Sequence, residues 1–217
     1  MNDKFLNLNY EKQGAILKAA IKEFAIQGYD RASTDTIAHN AGISKGSLFN
    51  YFNNKLNLYA YVLDYAITII NDNILKAIEH IEDKDFYNRL KKISIIKHKA
   101  FIKYPEESHI VTHFFMKPMK TVLETNELFK KYYLLDDTIL QEHLICYLDE
   151  KKLRRGITKE DVLFITSTLF EALIKRHIEM NSIQSSVGEH DLDEEHSGFD
   201  KYIEVLKNGV YKNEHTI

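Results

Sequence analysis

Helix breakers are scarce in this chain, with 2 prolines and 8 glycines in 217 residues. No alternating strand-like run of note offsets that scarcity, so an all-α protein is predicted. Cys146 is the only cysteine, which excludes an intrachain disulfide and a cysteine-rich metal site. It lies in the apolar run LICYL and reads as a small buried hydrophobe. No apolar run approaches the ~20 residues of a membrane span. The opening MNDKFLNLNYEK lacks the apolar core of a signal peptide, so a cytoplasmic protein without a membrane partner is expected. A glycine-rich phosphate loop, a GxSxG elbow and an HExxH pair are all missing, which argues against an enzyme and against a cofactor.

What is present is ordinary for a globular chain, 44% hydrophobic and 28% charged. Acids outnumber bases overall, for a net charge of −3, but residues 1–55 carry +2 and the remainder −5. A mildly basic head on an acidic body fits nucleic-acid binding only weakly. The sharper signal is the stretch STDTIAHNAGISKGSLFNYFNNK, residues 33–55. Thr34–Ala41 has Ile37, Ala38 and Ala41 on one side of a short helix. Gly42 follows, where a helix needs a left-handed residue. Ser44 can cap a second helix, Lys45–Tyr51, anchored inward by Leu48 and Phe52. Two short helices around a tight turn predict a helix-turn-helix, whose second helix can enter a major groove.

The chemistry of the stretch agrees. No Asp or Glu occurs from Thr36 to Lys55. Lys45, Ser47, Phe49, Asn50 and Tyr51 crowd the outer side of the second helix, and Gly46 lets the backbone come close to a groove wall. Thr34 and Lys55 stand at helix starts, where backbone amides favour phosphate. Thr36 and Ser44 complete the candidate set.

From Ile16 to Leu58 the chain resembles the N-terminal domain of the TetR family of transcriptional repressors. The likeness is carried by AxxxFAxxGYxxAST and TIAxxAGISKGSLFNYFxNKLNL and covers about a quarter of the chain. It implies that the helix from Lys45 is the recognition helix. Residues matching Lys45, Gly46, Ser47, Phe49 and Asn50 then meet bases or nearby backbone, and those matching Thr34, Tyr51 and Lys55 hold phosphates. Phe49 departs from the family, which more often has Tyr there. Without the phenol only apolar contact remains, for example with a thymine methyl.

The rest of the chain reads as helices. Residues 1–8 are expected to fray, and a helix from Asn9 or Tyr10 to Gly28 should set Ile16, Leu17, Ala20, Ile21, Phe24 and Ala25 against Ile37, Ala38, Ile43, Leu48 and Phe52. A long helix from Leu56 to about Ile81 carries the stripe Leu58, Val62, Leu63, Ala66, Ile69, Ile70 and Ile74. Further helices are predicted over Phe86–Lys103, Glu106–Phe115, Met119–Leu153 (one or two), Thr158 to about Asn181, and Phe199–Asn208. Thr158 with Asp161 has the spacing of a capping box. The acidic 182–197 reads as a solvated loop. His109 and His113 are one helical turn apart, but nothing fixes a third ligand, and no metal is expected.

The resemblance divides the chain into a DNA-binding head, 1–55, and an effector-binding and dimerisation body, 56–217. It implies a cavity in the body, for which Phe114, Phe115, Tyr132, Tyr133, Tyr147 and Phe170 are the candidate lining. It also implies a homodimer interface in the last two helices, with Leu163, Phe164, Ser167, Phe170, Ile174, Tyr202, Val205 and Leu206 as candidates. The function expected is a dimeric repressor released from a palindromic DNA operator by a small lipophilic or aromatic effector. The alternatives are a TetR-like activator and a helical protein acting through a protein partner.

Overall fold

The computed structural model describes residues 3–116, 143–169, 172 and 192–210. Among these residues the regular structure is helical, with no strand. Contacts gather the chain into two compact units, Met1–His80 with Ile96–Thr138, and Ile81–Ile95 with Ile139–Ile217.

In the first unit the start of the chain is held rather than frayed. Asp3–Leu6 forms a short helix, α1. Phe5 is 1% exposed, with its ring centroid 4.8 Å from Phe52 and 5.2 Å from Tyr61. The Gln13 side chain donates to the carbonyls of Leu6 at 3.0 Å and Leu8 at 2.7 Å. The buried ring and the Gln13 bonds together offset the entropy of ordering a few residues, which is why the polar composition of the arm misleads.

Helix α2, Tyr10–Arg31, begins behind Asn9, whose side chain accepts from the Lys12 amide at 2.9 Å. It breaks at Gly28, where φ 66 and ψ 175 define a backbone region essentially reserved for glycine. Its buried face is Ile16, Ala19, Ala20, Ile21, Phe24 and Ala25, and Leu17 is only half-buried. Helices α3 (Thr34–Asn40) and α4 (Lys45–Phe52) add Ile37, Ala38, Leu48 and Phe52 to that core, while Ile43 stays half-buried. Helix α5, Lys55–Ile78, buries Leu58, Val62, Leu63, Ala66, Ile70 and Ile74 as the stripe requires, together with Tyr59, Ala60, Ile67 and Ile78. Ile69 lies at the edge of the stripe, half-buried.

Helix α6, Phe86–Lys103, has the predicted bounds. Asp85 caps it, accepting from the Asn88 amide at 2.9 Å. Its residues 86–95 belong to the second unit and the rest to the first. Helix α7, Pro105–Met116, starts on the proline that ends α6, since proline lacks only an amide the first turn does not use. It packs on both α2 and α5 and buries Ser108, Ile110, Val111 and Phe114.

The second unit corrects three expectations. Residues 144–153 are not the end of a long helix but two 3₁₀ turns, Ile145–Tyr147 and Glu150–Lys152. The His143 carbonyl, which would accept the next helical bond, instead takes Arg89 Nε at 2.6 Å. The turn leaves Cys146 exposed rather than buried. Gly156 follows at φ 89, and a helix α8 then runs over 159–169. Its start is a reciprocal box: Asp161 Oδ2 accepts from the Thr158 amide at 2.8 Å, and Thr158 Oγ1 accepts from the Asp161 amide at 3.2 Å.

Helix α9, Leu192–Val210, begins inside the stretch read as an acidic loop. Leu192, Phe199, Tyr202, Ile203, Leu206 and Val210 follow helical spacing in the sequence. Charge density hid that period.

Candidate nucleic-acid interface

The two short helices of the head are locked by local bonds at every junction. Ser33 caps α3, its Oγ accepting from the Thr36 amide at 3.3 Å, while its own amide donates to Glu23 at 2.8 Å. At the far end the Gly42 amide reaches the His39 carbonyl at 3.0 Å and the Ile43 amide reaches the Ala38 carbonyl at 3.0 Å. Those two bonds, with Gly42 at φ 67, are the Schellman closure of a helix. Ser44 then caps α4, accepting from the Ser47 amide at 3.0 Å, with the two hydroxyls 2.9 Å apart. Asn53, at φ 64, ends α4, and Asn54 caps α5 through the Asn57 amide at 2.8 Å. The ends of α4 are thus set by groups close in the sequence.

The candidate residues fall together. Thr34 and Thr36 occupy the first turn of α3, and Ser44 to Tyr51 form the cap and body of α4. Lys55 opens α5. Ser44, Lys45, Gly46, Asn50 and Thr36 are exposed, whereas Thr34, Ser47, Phe49, Tyr51 and Lys55 are half-buried. A Cβ on Gly46 would meet only Ser44 Oγ, at 3.8 Å, so the fold itself does not require glycine there.

The two cations have protein partners. Lys45 Nζ lies 2.7 Å from Asp35 Oδ2, with both side chains largely exposed, and 6.0 Å from the Phe49 ring centroid. Such a pair contributes little and exchanges readily for a phosphate. Lys55 Nζ donates to the Asp30 carbonyl at 3.1 Å and sits 4.9 Å over the Tyr29 ring. Tyr29 packs edge-on against Tyr59, whose hydroxyl is pushed up to about 12, first by burial and then by the charges of Asp30 and Tyr29. This corner therefore carries no phenolate at neutral pH.

One neighbour was missed by sequence reasoning. Lys4 Nζ donates to Asn50 Oδ1 at 2.8 Å. The signal that could have found it is Phe5, a large apolar residue in a polar arm.

Residues 16–62 match the tetR family of bacterial regulatory proteins. These residues form a domain of the tetR type. It is 36% identical over 73 residues to the HTH-type transcriptional activator FasR of Mycolicibacterium smegmatis, covering 34% of this chain and 33% of that protein. It is 27% identical over 133 residues to the Fatty acid metabolism regulator protein of Bacillus subtilis, covering 58% of this chain and 65% of that one. The chain thus spans less than two thirds of these relatives' lengths. A crystal structure of a TetR family transcriptional regulator from Chloroflexus aurantiacus aligns at 19% identity and TM-score 0.72, covering 98% of this chain and 99% of that chain. At that identity the likeness speaks for the fold.

The body residues expected to serve a tetR-type effector and dimer distribute unevenly. Phe114 is buried on α7 in the first unit. Tyr147, in the second, is half-buried under Arg89, whose guanidinium carbon lies 4.0 Å from the ring centroid. Tyr132, Tyr133, Phe170, Ile174 and the side chain of Phe115 lie outside the described residues. On α8, Leu163 and Ser167 are half-buried, and Ser167 Oγ donates to the Phe164 carbonyl at 3.1 Å. Phe164 is 72% exposed and Val205 of α9 is 64% exposed, while Tyr202 and Leu206 are half-buried. No described helix is long and apolar enough to cross a membrane.

Proposed function

We propose that the protein is a sequence-specific transcriptional regulator acting as a homodimer on a palindromic DNA operator. The observation that carries this reading is the locked α3–turn–α4 unit, which presents Lys45, Gly46 and Asn50 together with no acid from Thr36 to Lys55. A helix held that rigidly can insert as a body into a major groove, while hydroxyls and amides at the helix starts meet phosphates. Thr34, Thr36, Tyr51 and Lys55 are assigned to the backbone. Ser44, Lys45, Gly46, Ser47, Phe49 and Asn50 are assigned to the groove. The head is 1–55 and the body 56–217.

Dimerisation supplies specificity, because one short helix reads too few base pairs to select a site in a genome. The exposed Phe164 and Val205 support an interface on α8 and α9. The effector is assigned as a small lipophilic or aromatic molecule. The aromatic composition of the body supports that assignment, as does the Bacillus subtilis relative, a regulator of fatty acid metabolism by name. Its action is a shift between head arrangements, limited to the difference in its affinity for the two.

Fluorescence anisotropy with DNA from upstream of the coding region, at two salt concentrations and against a scrambled duplex, tests the reading. Tight, salt-sensitive and selective binding is expected. Equal weak binding to both duplexes, and no enriched fragment in a genome-wide selection, would sink it in favour of a protein-partner role. Repression is the expected sign. Activation is the second reading, favoured by the name of the Mycolicibacterium relative, a transcriptional activator. Transcription from the bound promoter with and without protein separates the two.

A further inference from the structure

The arm that precedes α2 is built into the head, and it touches a residue able to read a base. Phe5 is buried against Phe52, the last residue of α4, and its ring centroid is 6.4 Å from that of Tyr51. The Leu8 amide donates to the Phe5 carbonyl at 3.1 Å, and Gln13 holds the carbonyls of Leu6 and Leu8. This anchoring places Lys4 beside α4, where its ammonium donates to Asn50 across 46 positions of sequence at 2.8 Å. An ammonium only donates, so the amide atom that faces it must be the oxygen.

From that geometry we infer that Lys4 is a positioning residue for sequence readout, setting the orientation of the Asn50 amide and thereby the base Asn50 selects. The inference rests on the DNA-reading role of α4. Asparagine reads adenine with two bonds, accepting from N6 through its oxygen and donating to N7. A cation already bonded to Oδ1 competes with the adenine amino group for that oxygen and repels its positive edge. Guanine offers N7 and O6, acceptors only, and suits an amide whose oxygen is committed and whose neighbour is an ammonium. The pair should therefore favour guanine over adenine at the position Asn50 reads.

The test is selection from a randomised duplex pool by the wild-type full-length protein and by Lys4→Ala, Lys4→Arg, Phe5→Ala and Asn50→Ala. Asn50→Ala identifies the position, as the one whose preference it erases. The expected result is that wild type prefers guanine there and Lys4→Ala moves the adenine-to-guanine ratio about fivefold or more towards adenine. Other positions should not change, Lys4→Arg should restore guanine, and Phe5→Ala should behave as Lys4→Ala.

Lys4 is exposed, so loss of the fold is not expected from its substitution, and the thermal midpoint of each variant checks this. An unchanged motif with Lys4→Ala overturns the proposal. If affinity then falls equally for all duplexes with a salt slope lower by about one, Lys4 is a phosphate contact instead. Failure of the wild type to enrich any motif would overturn the DNA-reading role itself, an outcome distinct from an enriched motif that ignores Lys4.

Discussion

A glycine inside a helix is costly, and Gly46 is one whose cost the fold does not explain. A Cβ there has room, with its nearest neighbour at 3.8 Å, and the residue sits in the first turn of α4 on an exposed surface. Alanine should therefore stabilise the head by about 0.5–1 kcal/mol through helix propensity and a less flexible unfolded chain. If the bare backbone serves close approach to a groove wall, the same Gly46→Ala change should weaken DNA binding on the order of tenfold. Thermal melting and anisotropy on one sample measure both. A gain in stability with unchanged affinity would remove Gly46 from the interface. Lys55 poses the opposite problem, since it already has a carbonyl and a ring as partners. If it also holds a phosphate, Lys55→Ala lowers affinity for all duplexes alike and reduces the salt slope by about one. An unaltered slope would leave it a brace for the corner of α2 and α5.

At the scale of elements, Arg89 is the joint of the second unit. It is 4% exposed and donates to the carbonyls of His143 at 2.6 Å, Ile81 at 2.8 Å and Asp83 at 3.2 Å, while its plane covers Tyr147. Removing it strands three acceptors, so Arg89→Met should destabilise the chain by about 3 kcal/mol. Arg89→Lys should recover little, because a single ammonium cannot reproduce the planar fork. Urea unfolding of both variants measures this, and a loss below about 0.5 kcal/mol would show the carbonyls finding other donors. Arg89 also marks where sequence reasoning stops. The head was legible because its determinants are local: caps at Ser44 and Asn54, a left-handed Gly42, and an apolar stripe on α5. The capping box at Thr158 was readable for the same reason. The turns over 145–152 were not, because the group that takes the His143 carbonyl comes from 54 residues away. The arm was misread through its polar composition, although one buried ring decides it, and α9 through acids that mask its apolar period. Within the proposed interface, ten residues were nameable from motif and spacing, and Lys4 emerged only from the fold.

For the whole molecule, charge and apolar exposure point in different directions. A net charge of −3 gives DNA no general attraction, so affinity must come from the local surface of the head and from using two heads at once. On the proposed reading, a dimer interface is a condition of function rather than an accessory to it. Phe164, on a helix whose neighbour Val162 is 1% exposed, is itself 72% exposed, more than any other large apolar side chain among the described residues except Tyr10. Placing a charge there tests the link directly. Phe164→Glu should leave helicity and the unfolding midpoint of the protomer nearly unchanged, since the side chain is outside the core. Sedimentation at micromolar concentration should then give monomer where the wild type gives dimer. Affinity for the selected duplex should fall about 10²-fold or more, because two linked heads gain that much from effective concentration alone. Binding to a half-site duplex should be unaffected, which separates lost pairing from a damaged head. A variant that remains dimeric with full affinity would move the interface away from Phe164, and a wild type that is monomeric yet binds a palindrome tightly would remove dimerisation from the mechanism altogether.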